Sequence, residues 1–231
     1  MKQLKFSLAA GILFSLIFLT LLAIRLDFFA TRDTLPTDSR KAPLTRPAES
    51  WMNIYQNGKR IGFVQRQYTF LDTGKIQRKE KAVMQIKTMG TTHLLHLSLE
   101  TQLQPDMSLS SFHFDLKSSL FRFHAHGYTA QNKLIVYAGI PSAMQKTEIP
   151  LGQLPYLSGN IYEAAYAASL PPNTARRFTV FDPATASVRN INVTREKDEI
   201  IPVMGKRLMT QKFCTDFMGI TSCAWLGPDG D

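Results

Sequence analysis

The chain has 231 residues, of which 27 are basic and 18 acidic, so its formal net charge is +9. This length suits one domain of ordinary size with a tether and requires no second globular unit. The basic residues are scattered among predicted strands, without a basic helix or an aromatic-basic motif, which argues against nucleic acid as a partner.

An apolar run lies near the start of the chain. Phe6 to Ile24 reads FSLAAGILFSLIFLTLLAI, nineteen residues without a charge, which matches the hydrocarbon core of a bilayer. Lys2 and Lys5 precede it, and this basic flank places the N-terminus in the cytoplasm. A cleaved secretory signal is the alternative, but its apolar region usually spans about 7–15 residues and ends at a small-x-small site, which LAIRLDFFA does not offer cleanly. We therefore expect an uncleaved single-pass anchor in the inner (cytoplasmic) membrane.

The composition divides the chain into three parts. Residues 1–24 are expected to form a cytoplasmic tip and a transmembrane helix, which contacts the lipid bilayer through residues 6–24. Residues 25–50 are rich in proline, hydroxyl and charged residues, which predicts a disordered periplasmic tether. Residues 51–231 are expected to form the extracytoplasmic domain, periplasmic or extracellular. This domain keeps 20 basic and 14 acidic residues, a net charge of +6 that favours anionic headgroups.

Alternation of apolar and polar residues begins at Trp51 and predicts strands with one buried face. The clearest run places its apolar residues at odd positions: Leu95, Leu97, Leu99 and Leu103, with Thr101 among them. Turn signals separate the runs, at Asn57-Gly58, Asp72-Thr73-Gly74, Met89-Gly90, Pro105-Asp106 and Gln131-Asn132. The expected fold is mainly β (α+β): a large, curved antiparallel sheet with one or two short helices.

One helix is predicted within this domain. Asn160 is the expected N-cap, and Glu163 follows three residues later as in a capping box. The run AAYAAS continues the helix and Pro171-Pro172 stops it. We expect this short helix to cover an end or a face of the sheet.

Cys214 and Cys223 are the two cysteines of the chain. If Met218-Gly219 forms a two-residue turn, these cysteines face each other at a non-hydrogen-bonded site of a hairpin, where Cα atoms lie about 4.5 Å apart. That separation is near the short end of the disulfide range, and disulfides persist outside the cytoplasm. A disulfide is the expectation, with two free buried thiols or a redox or nucleophilic role as alternatives.

The histidines give only a weak indication of a metal site. His124 and His126 point to one face of a predicted strand, whereas His93 and His96 fall on opposite faces of a neighbouring one. No cysteine or carboxylate pattern joins them at the spacing that zinc requires. The sequence therefore predicts solvent-facing histidines, with no metal and no cofactor.

Aromatic residues recur along two adjacent predicted strands. Phe112, Phe114, Phe121 and Phe123 could lie on one face of a curved sheet and floor an apolar groove. The alternative is that they belong to the core.

Catalysis requires a nucleophile, a base and an orienting group within hydrogen-bond reach. Cys223 is the only candidate nucleophile, and it lies in the strand-like ITSCAWLG, away from a helix N-terminus that would lower a thiol pKa. No histidine follows it. The sequence therefore predicts no catalytic residues in this chain.

Several segments resemble a known family when they are taken in order: WMNIYQNGKRIGF, SLSSFHFDL, LFRFHAHG, PLGQLPYLSGNIYEA, RFTVFDPAT and CAWLGPDGD. Together they resemble the N-terminal extracytoplasmic region of bacterial membrane-anchored transglutaminase-like proteins, over about Trp51 to Asp231. The resemblance implies a β-rich domain in front of a papain-like core, whose Cys, His and Asp act in acyl transfer or amide hydrolysis. The chain is expected to end where that core should begin, so no residue matches the triad and the activity is expected only if a downstream core is supplied.

Two functions remain open at this point. The resemblance implies a non-catalytic accessory domain, whose partner is a transglutaminase-like core or another envelope protein. By analogy of architecture alone, the alternative is a tethered periplasmic binding module for lipid or another apolar envelope ligand, with the phenylalanine face as its groove.

Overall fold

The computed structural model describes residues 48–88, 90–217 and 220–230. The first eight strands form one sheet in chain order, each antiparallel to the next. They are β1 (Ala48–Gln56), β2 (Lys59–Phe70), β3 (Ile76–Thr88), β4 (Thr91–Leu103), β5 (Leu109–Lys117), β6 (Arg122–Ala130), β7 (Lys133–Ile140) and β8 (Ala143–Pro150). Short turns connect these neighbours, and Asn57-Gly58 supplies the positive φ angles, 50° and 73°, that a tight hairpin turn requires.

The remaining strands form a second, six-stranded sheet. They are β9 (Tyr156–Leu157), β10 (Thr174–Asp182), β11 (Ser187–Arg195), β12 (Glu199–Val203), β13 (Lys206–Phe217) and β14 (Ile220–Leu226). The order is β12-β13-β11-β10-β9, and β14 pairs with β13. The pair β9–β10 is parallel, while β10–β11, β11–β13 and β13–β14 are antiparallel. The predicted mainly β fold, with antiparallel pairing and a short helix, is confirmed.

The prediction of one large sheet is corrected to two sheets. A 3-10 turn at Ser158–Asn160 and the helix α1 (Ile161–Ala167) separate β9 from β10 in the chain. An amphipathic sheet must cover its apolar face with another layer, and here the helix and the strand β10 supply buried residues to the same core as the first sheet.

The boundary of the predicted tether also changes. Ala48, Glu49 and Ser50 pair with Tyr68, Gln67 and Arg66, so the β region begins three residues before Trp51. The rest of the predicted tether and the predicted anchor at residues 1–24 lie outside the described residues. Across the part of the chain that the structure describes, no helix has the length and apolar character needed to cross a bilayer.

The core follows the predicted alternation. In β4, Leu99, Thr101 and Leu103 are buried, whereas His96 and Glu100 are exposed. Leu99 faces Phe114 on β5, which is also buried. The odd positions of β4 therefore line the core and its even positions form the outer face of the sheet.

The two sheets meet through aromatic packing. The ring of Phe112 on β5 lies 4.9 Å from the ring of Phe181 on β10, and both side chains are buried. Gly127 on β6 lies opposite Phe112, and a Cβ there would come within 2.8 Å of the Phe112 ring. A glycine at this position thus leaves room for the Phe112 ring beside β6.

The helix starts where the sequence predicts, but its cap differs. Asn160 is the N-cap residue, yet its side chain makes no capping hydrogen bond and instead donates from Nδ2 to the Met107 carbonyl, 3.3 Å away. Glu163 is buried and pairs with Arg66 of β2, with 2.6 Å between Nη1 and Oε1. The capping-box prediction is therefore wrong, because both side chains bond to other elements rather than to the helix end.

The hairpin of β13 and β14 has the predicted register. Cys214 lies opposite Cys223 and the two are joined by a disulfide, with 4.1 Å between their Cα atoms. Thr215 and Ser222 form the next pair, and the hydroxyl of Tyr162 on α1 donates to the Ser222 carbonyl at 3.0 Å. The predicted disulfide is confirmed, while its predicted turn at Met218-Gly219 lies outside the described residues.

Residues 200–209 are grouped apart from the described residues 48–199 and 210–230. They include the turn at Met204-Gly205, whose φ angles are 49° and 79°. Met204 is almost fully exposed at this turn.

Candidate functional site

A cavity lies on the outer face of the first sheet, between the start of β4 and the turn that joins β5 to β6. Its volume is about 550 Å³, within the usual range for small-molecule sites. Eight residues line it: Leu94, His96, Lys117, Ser118, Ser119, Leu120, Phe121 and Arg122.

The turn that forms one wall of this cavity is fixed by its own hydrogen bonds. The Ser118 hydroxyl accepts hydrogen bonds from the backbone amides of Leu120 and Phe121, at 3.1 and 3.2 Å. His93 of β4 joins the turn through Nδ1, which lies 2.9 Å from the Ser119 hydroxyl. The wall is therefore held to the neighbouring strand rather than only to its own hairpin.

The lining combines apolar and positively charged groups. Leu120 and Phe121 are 67% and 48% exposed, which is high for large apolar side chains, and Leu94 is 44% exposed beside them. Lys117 and Arg122 are exposed at the two ends of the turn, and no carboxylate belongs to the described lining. This arrangement can hold an apolar chain while a cationic group contacts an anionic head.

The four phenylalanines predicted to floor a groove occupy three different environments. Phe112 and Phe114 are closed to solvent within the core. Phe123 is half-buried and packs against Phe114, with 6.2 Å between their rings. Phe121 is the one that lines the cavity. They form no common open groove in the described structure, because β10 covers the sheet face that Phe112 and Phe114 share.

A buried ionic network lies on the opposite, core-facing side of the first sheet. Arg78 is fully buried, and its Nη2 lies 2.5 Å from Glu80 and 3.0 Å from the Gly159 carbonyl. Glu80 also pairs with Arg66 at 2.9 Å, and Arg66 reaches Glu163 of the helix. Burial lowers the pKa of Arg66, but the neighbouring Glu163 and Glu80 outweigh this effect and raise it above its ordinary value.

Tyr68 lies beside this network. Burial, together with the charge of Glu163, raises the pKa of its phenol to about 12. Within the described residues no group forms a hydrogen bond with its hydroxyl. The network therefore joins β2, β3 and α1, and its buried position supports a structural role.

The outer face of the first sheet also carries a cluster of two histidines and one aspartate that the sequence does not predict. His113, Asp115 and His124 place one nitrogen or oxygen each within 4.8 Å of one another, so they could hold a metal ion. The sequence groups His124 with His126, His93 and His96, but it does not join His124 to His113 and Asp115 on β5. The missing information was the register of the β5–β6 hairpin, which pairs Asp115 with His124 and His113 with His126.

Cys223, the candidate nucleophile, is bonded to Cys214, so its sulfur carries no thiol in this state. Nucleophilic attack requires a thiolate. In the oxidised protein this sulfur is therefore not available for the acyl-transfer chemistry of papain-like sites.

Comparison with known proteins gives a likeness of fold. No protein-family model matches the chain, and no curated protein matches it by sequence. Among solved structures, a β-barrel-like protein of the domain of unknown function DUF1849 from Brucella abortus has a TM-score of 0.53 and 12% identity, over 80% of this chain and 87% of that one. A DUF1089 family protein from Pseudomonas aeruginosa has a TM-score of 0.45 and 8% identity, over 78% of this chain and 91% of that one. At such identity, the first likeness shows a shared fold.

Proposed function

We propose that this chain is a non-catalytic, membrane-anchored extracytoplasmic domain that binds an amphipathic anion, such as a fatty acid or an acidic lipid. The observation that carries the proposal is the cavity between β4 and the β5–β6 turn. Its exposed Leu94, Leu120 and Phe121 lie next to Lys117 and Arg122. Exposed apolar side chains that cluster at a cavity commonly mark a binding site.

Charge supports an anionic ligand over a neutral one. The chain from Trp51 onward has a net charge of +6, and the described lining of the cavity is cationic. An anion that approaches this face is attracted before contact, and a cation is repelled. The acyl chain would then bury the exposed parts of Leu120 and Phe121, at about 25 cal/mol per Å² of apolar surface removed from water.

The location is part of the proposal. The disulfide between Cys214 and Cys223 is typical of oxidising compartments, and the apolar residues 6–24 are long enough for an anchor. A tethered domain would hold this cavity close to a bilayer, where acyl chains are the abundant ligands.

The test is labelling of the full chain, in membranes, with a photoreactive fatty acid. We expect the label in the peptides that contain residues 94–96 and 117–122, with competition by an unlabelled fatty acid but not by an alkylamine of equal length. Lys117→Ala combined with Phe121→Ser should lower the labelling of these peptides about tenfold, which corresponds to about 1.4 kcal/mol of binding free energy.

Tyr55→Ser combined with Lys59→Ala is a matched control, because these residues are an exposed aromatic and an exposed cation on β1 and β2. This control should keep the wild-type labelling. Equal labelling of wild type and of the Lys117/Phe121 variant, or equal competition by the alkylamine, would contradict the proposal.

The accessory role implied by the sequence resemblance is a second candidate. The observation behind it is the packing of β14 and the residues after it against α1, since the Tyr166 hydroxyl donates to the Pro228 carbonyl at 2.6 Å and the Tyr162 hydroxyl to the Ser222 carbonyl at 3.0 Å. These bonds hold β14 at Ser222 and the following loop at Pro228 against the helix. If this role is correct, cross-linking in membranes should capture a transglutaminase-like partner, and the capture should not depend on Lys117 or Phe121.

A further inference from the structure

We propose that His113, Asp115 and His124 form a binding site for a zinc-class divalent cation on the outer face of the first sheet. The proposal is independent of the cavity and of its ligand. It goes beyond the proposed function because it assigns a metal to histidines that the sequence predicts to be only solvent-facing.

The strand geometry brings the three side chains together. His113 and Asp115 are two residues apart on β5, so they share the outer face, and His124 lies directly opposite Asp115 on β6. His113 Nε2 lies 3.0 Å from Asp115 Oδ2. His124 Nδ1 contacts the other oxygen, Oδ1, so the carboxylate lies between the two imidazoles.

The donor set fits Zn²⁺ better than a hard cation. Imidazole nitrogen and carboxylate oxygen bind zinc at about 2.0–2.2 Å, so two ligands of one tetrahedral ion are separated by about 3.4 Å. The three donor atoms already lie within 4.8 Å of one another, and their side chains are at least 32% exposed, which leaves room for the small rotations required. Mg²⁺ and Ca²⁺ prefer oxygen ligands and are expected to bind weakly here.

Neighbouring residues restrain the ring of His113 and leave space beside His124. His126 stacks on His113, with 6.1 Å between the rings, and on Tyr137, with 5.0 Å, which restrains the His113 ring. The residue opposite His124 on β7 is Gly139, which has no side chain to occupy that flank. Three protein ligands with an open side match zinc sites that keep a fourth position for water or another ligand.

Ordinary histidine–carboxylate ion pairs would also place these atoms close together. Ion pairs and a metal site differ in protonation, because an ion pair requires charged imidazoles, whereas a bound metal requires both imidazoles to be neutral. Direct measurement of Zn²⁺ binding, and of its loss when a donor atom is removed, therefore separates the two interpretations.

The experiment is zinc competition against a chromogenic chelator at about pH 7.5 with the full chain, purified without a histidine tag. We expect one equivalent of Zn²⁺ per chain, no competition from Mg²⁺, and a loss of affinity of at least about tenfold in both His124→Ala and Asp115→Asn. His93→Ala is the control, because it removes a histidine that bonds to Ser119 and lies outside the cluster.

Circular dichroism should show that each variant keeps its fold, since the three ligands are exposed or half-buried. Equal zinc affinity of wild type and His124→Ala would overturn the proposal, and so would an equal loss in His93→Ala. The labelling of the cavity by fatty acid is expected to persist in Asp115→Asn, so the failure of one proposal can be told from the failure of the other.

Discussion

Charged residues at core positions are the least expected feature at the scale of single residues. Arg78 and Glu80 occupy the same face of β3 as the buried Ile76 and Ala82. An isolated buried charge is costly, but here the two guanidinium groups of Arg66 and Arg78 contact the carboxylates of Glu80 and Glu163. The alternation in IQRKEKAV indicates a strand, yet it cannot reveal that Arg78 is buried, because the 3-10 turn at Gly159 that contacts it lies far along the chain.

Tyr68 provides a test of how well this region satisfies its polar groups. Tyr68→Phe removes a buried hydroxyl for which the described residues offer no hydrogen bond, so we expect the variant to be as stable as wild type or up to about 1 kcal/mol more stable at pH 7. Tyr166→Phe is the matched control, because the Tyr166 hydroxyl donates to Pro228 at 2.6 Å. That change should cost about 1 kcal/mol in urea unfolding.

Wild type and Tyr68→Phe should also differ in how their stability depends on pH. The phenol of Tyr68 has a pKa of about 12 in the folded protein, above its ordinary value of 10.0, so its neutral form is favoured by folding. Its contribution to stability is present below pH 10 and is lost as the pH rises towards about 12. The stability of wild type should therefore fall more steeply over this range than that of Tyr68→Phe, and parallel pH profiles would contradict the assignment.

Among the elements, the β13–β14 hairpin is the one whose details could be predicted from sequence. Its register depends only on the position of a local turn, so the pairing of Cys214 with Cys223 follows from counting residues. The β5–β6 hairpin shows the limit of this reasoning. Its four connecting residues, Ser118 to Phe121, carry no strong turn signal, so the sequence does not show where β5 ends and β6 begins. The pairing of Asp115 with His124 depends on the length of this connection and therefore could not be derived.

The disulfide should stabilise this hairpin by a modest amount. Cys214→Ala combined with Cys223→Ala opens a loop whose ends are 9 residues apart, for which chain entropy predicts a cost somewhat below the ~3 kcal/mol of a 15-residue loop. Urea unfolding measures the cost, and wild type treated with reductant should behave like the variant. If both cysteines react fully with an alkylating agent in native, unreduced protein, the bond is absent and this expectation fails.

At the scale of the whole molecule, the sequence indicates strands and turns but not their division into two sheets. Period-two alternation appears in β4 and β5 of the first sheet and in β10 and β11 of the second, so each segment reads alike. Long-range packing, such as that of Phe112 against Phe181, decides which strands belong to which sheet, and no local pattern encodes that packing. The open cavity was missed for a related reason, since only the fold shows that Leu94 lies beside the β5–β6 turn.

A core shared by both sheets predicts that they unfold together. The chain has two tryptophans, Trp51 on β1 of the first sheet and Trp225 on β14 of the second. Trp51 packs against Phe63, with 5.6 Å between the rings, and Trp225 donates to Glu199 at 2.8 Å, so the fluorescence of each should change on unfolding. Trp225→Phe and Trp51→Phe therefore give proteins that report on one sheet each, and we expect their urea transitions to coincide.

Phe181→Ala, introduced into both single-tryptophan proteins, tests whether the shared core causes this coupling. Phe181 is fully buried, so the change should cost about 3–5 kcal/mol and lower both midpoints by the same amount. Phe121→Ala is the matched control, because the same truncation at the half-exposed cavity wall should change stability by less than about 0.5 kcal/mol. The two sheets unfold separately if the midpoint falls in the Trp51→Phe protein, which reports on Trp225, and stays unchanged in the Trp225→Phe protein, which reports on Trp51. In that case the packing of Phe112 against Phe181 does not join the sheets into one cooperative unit.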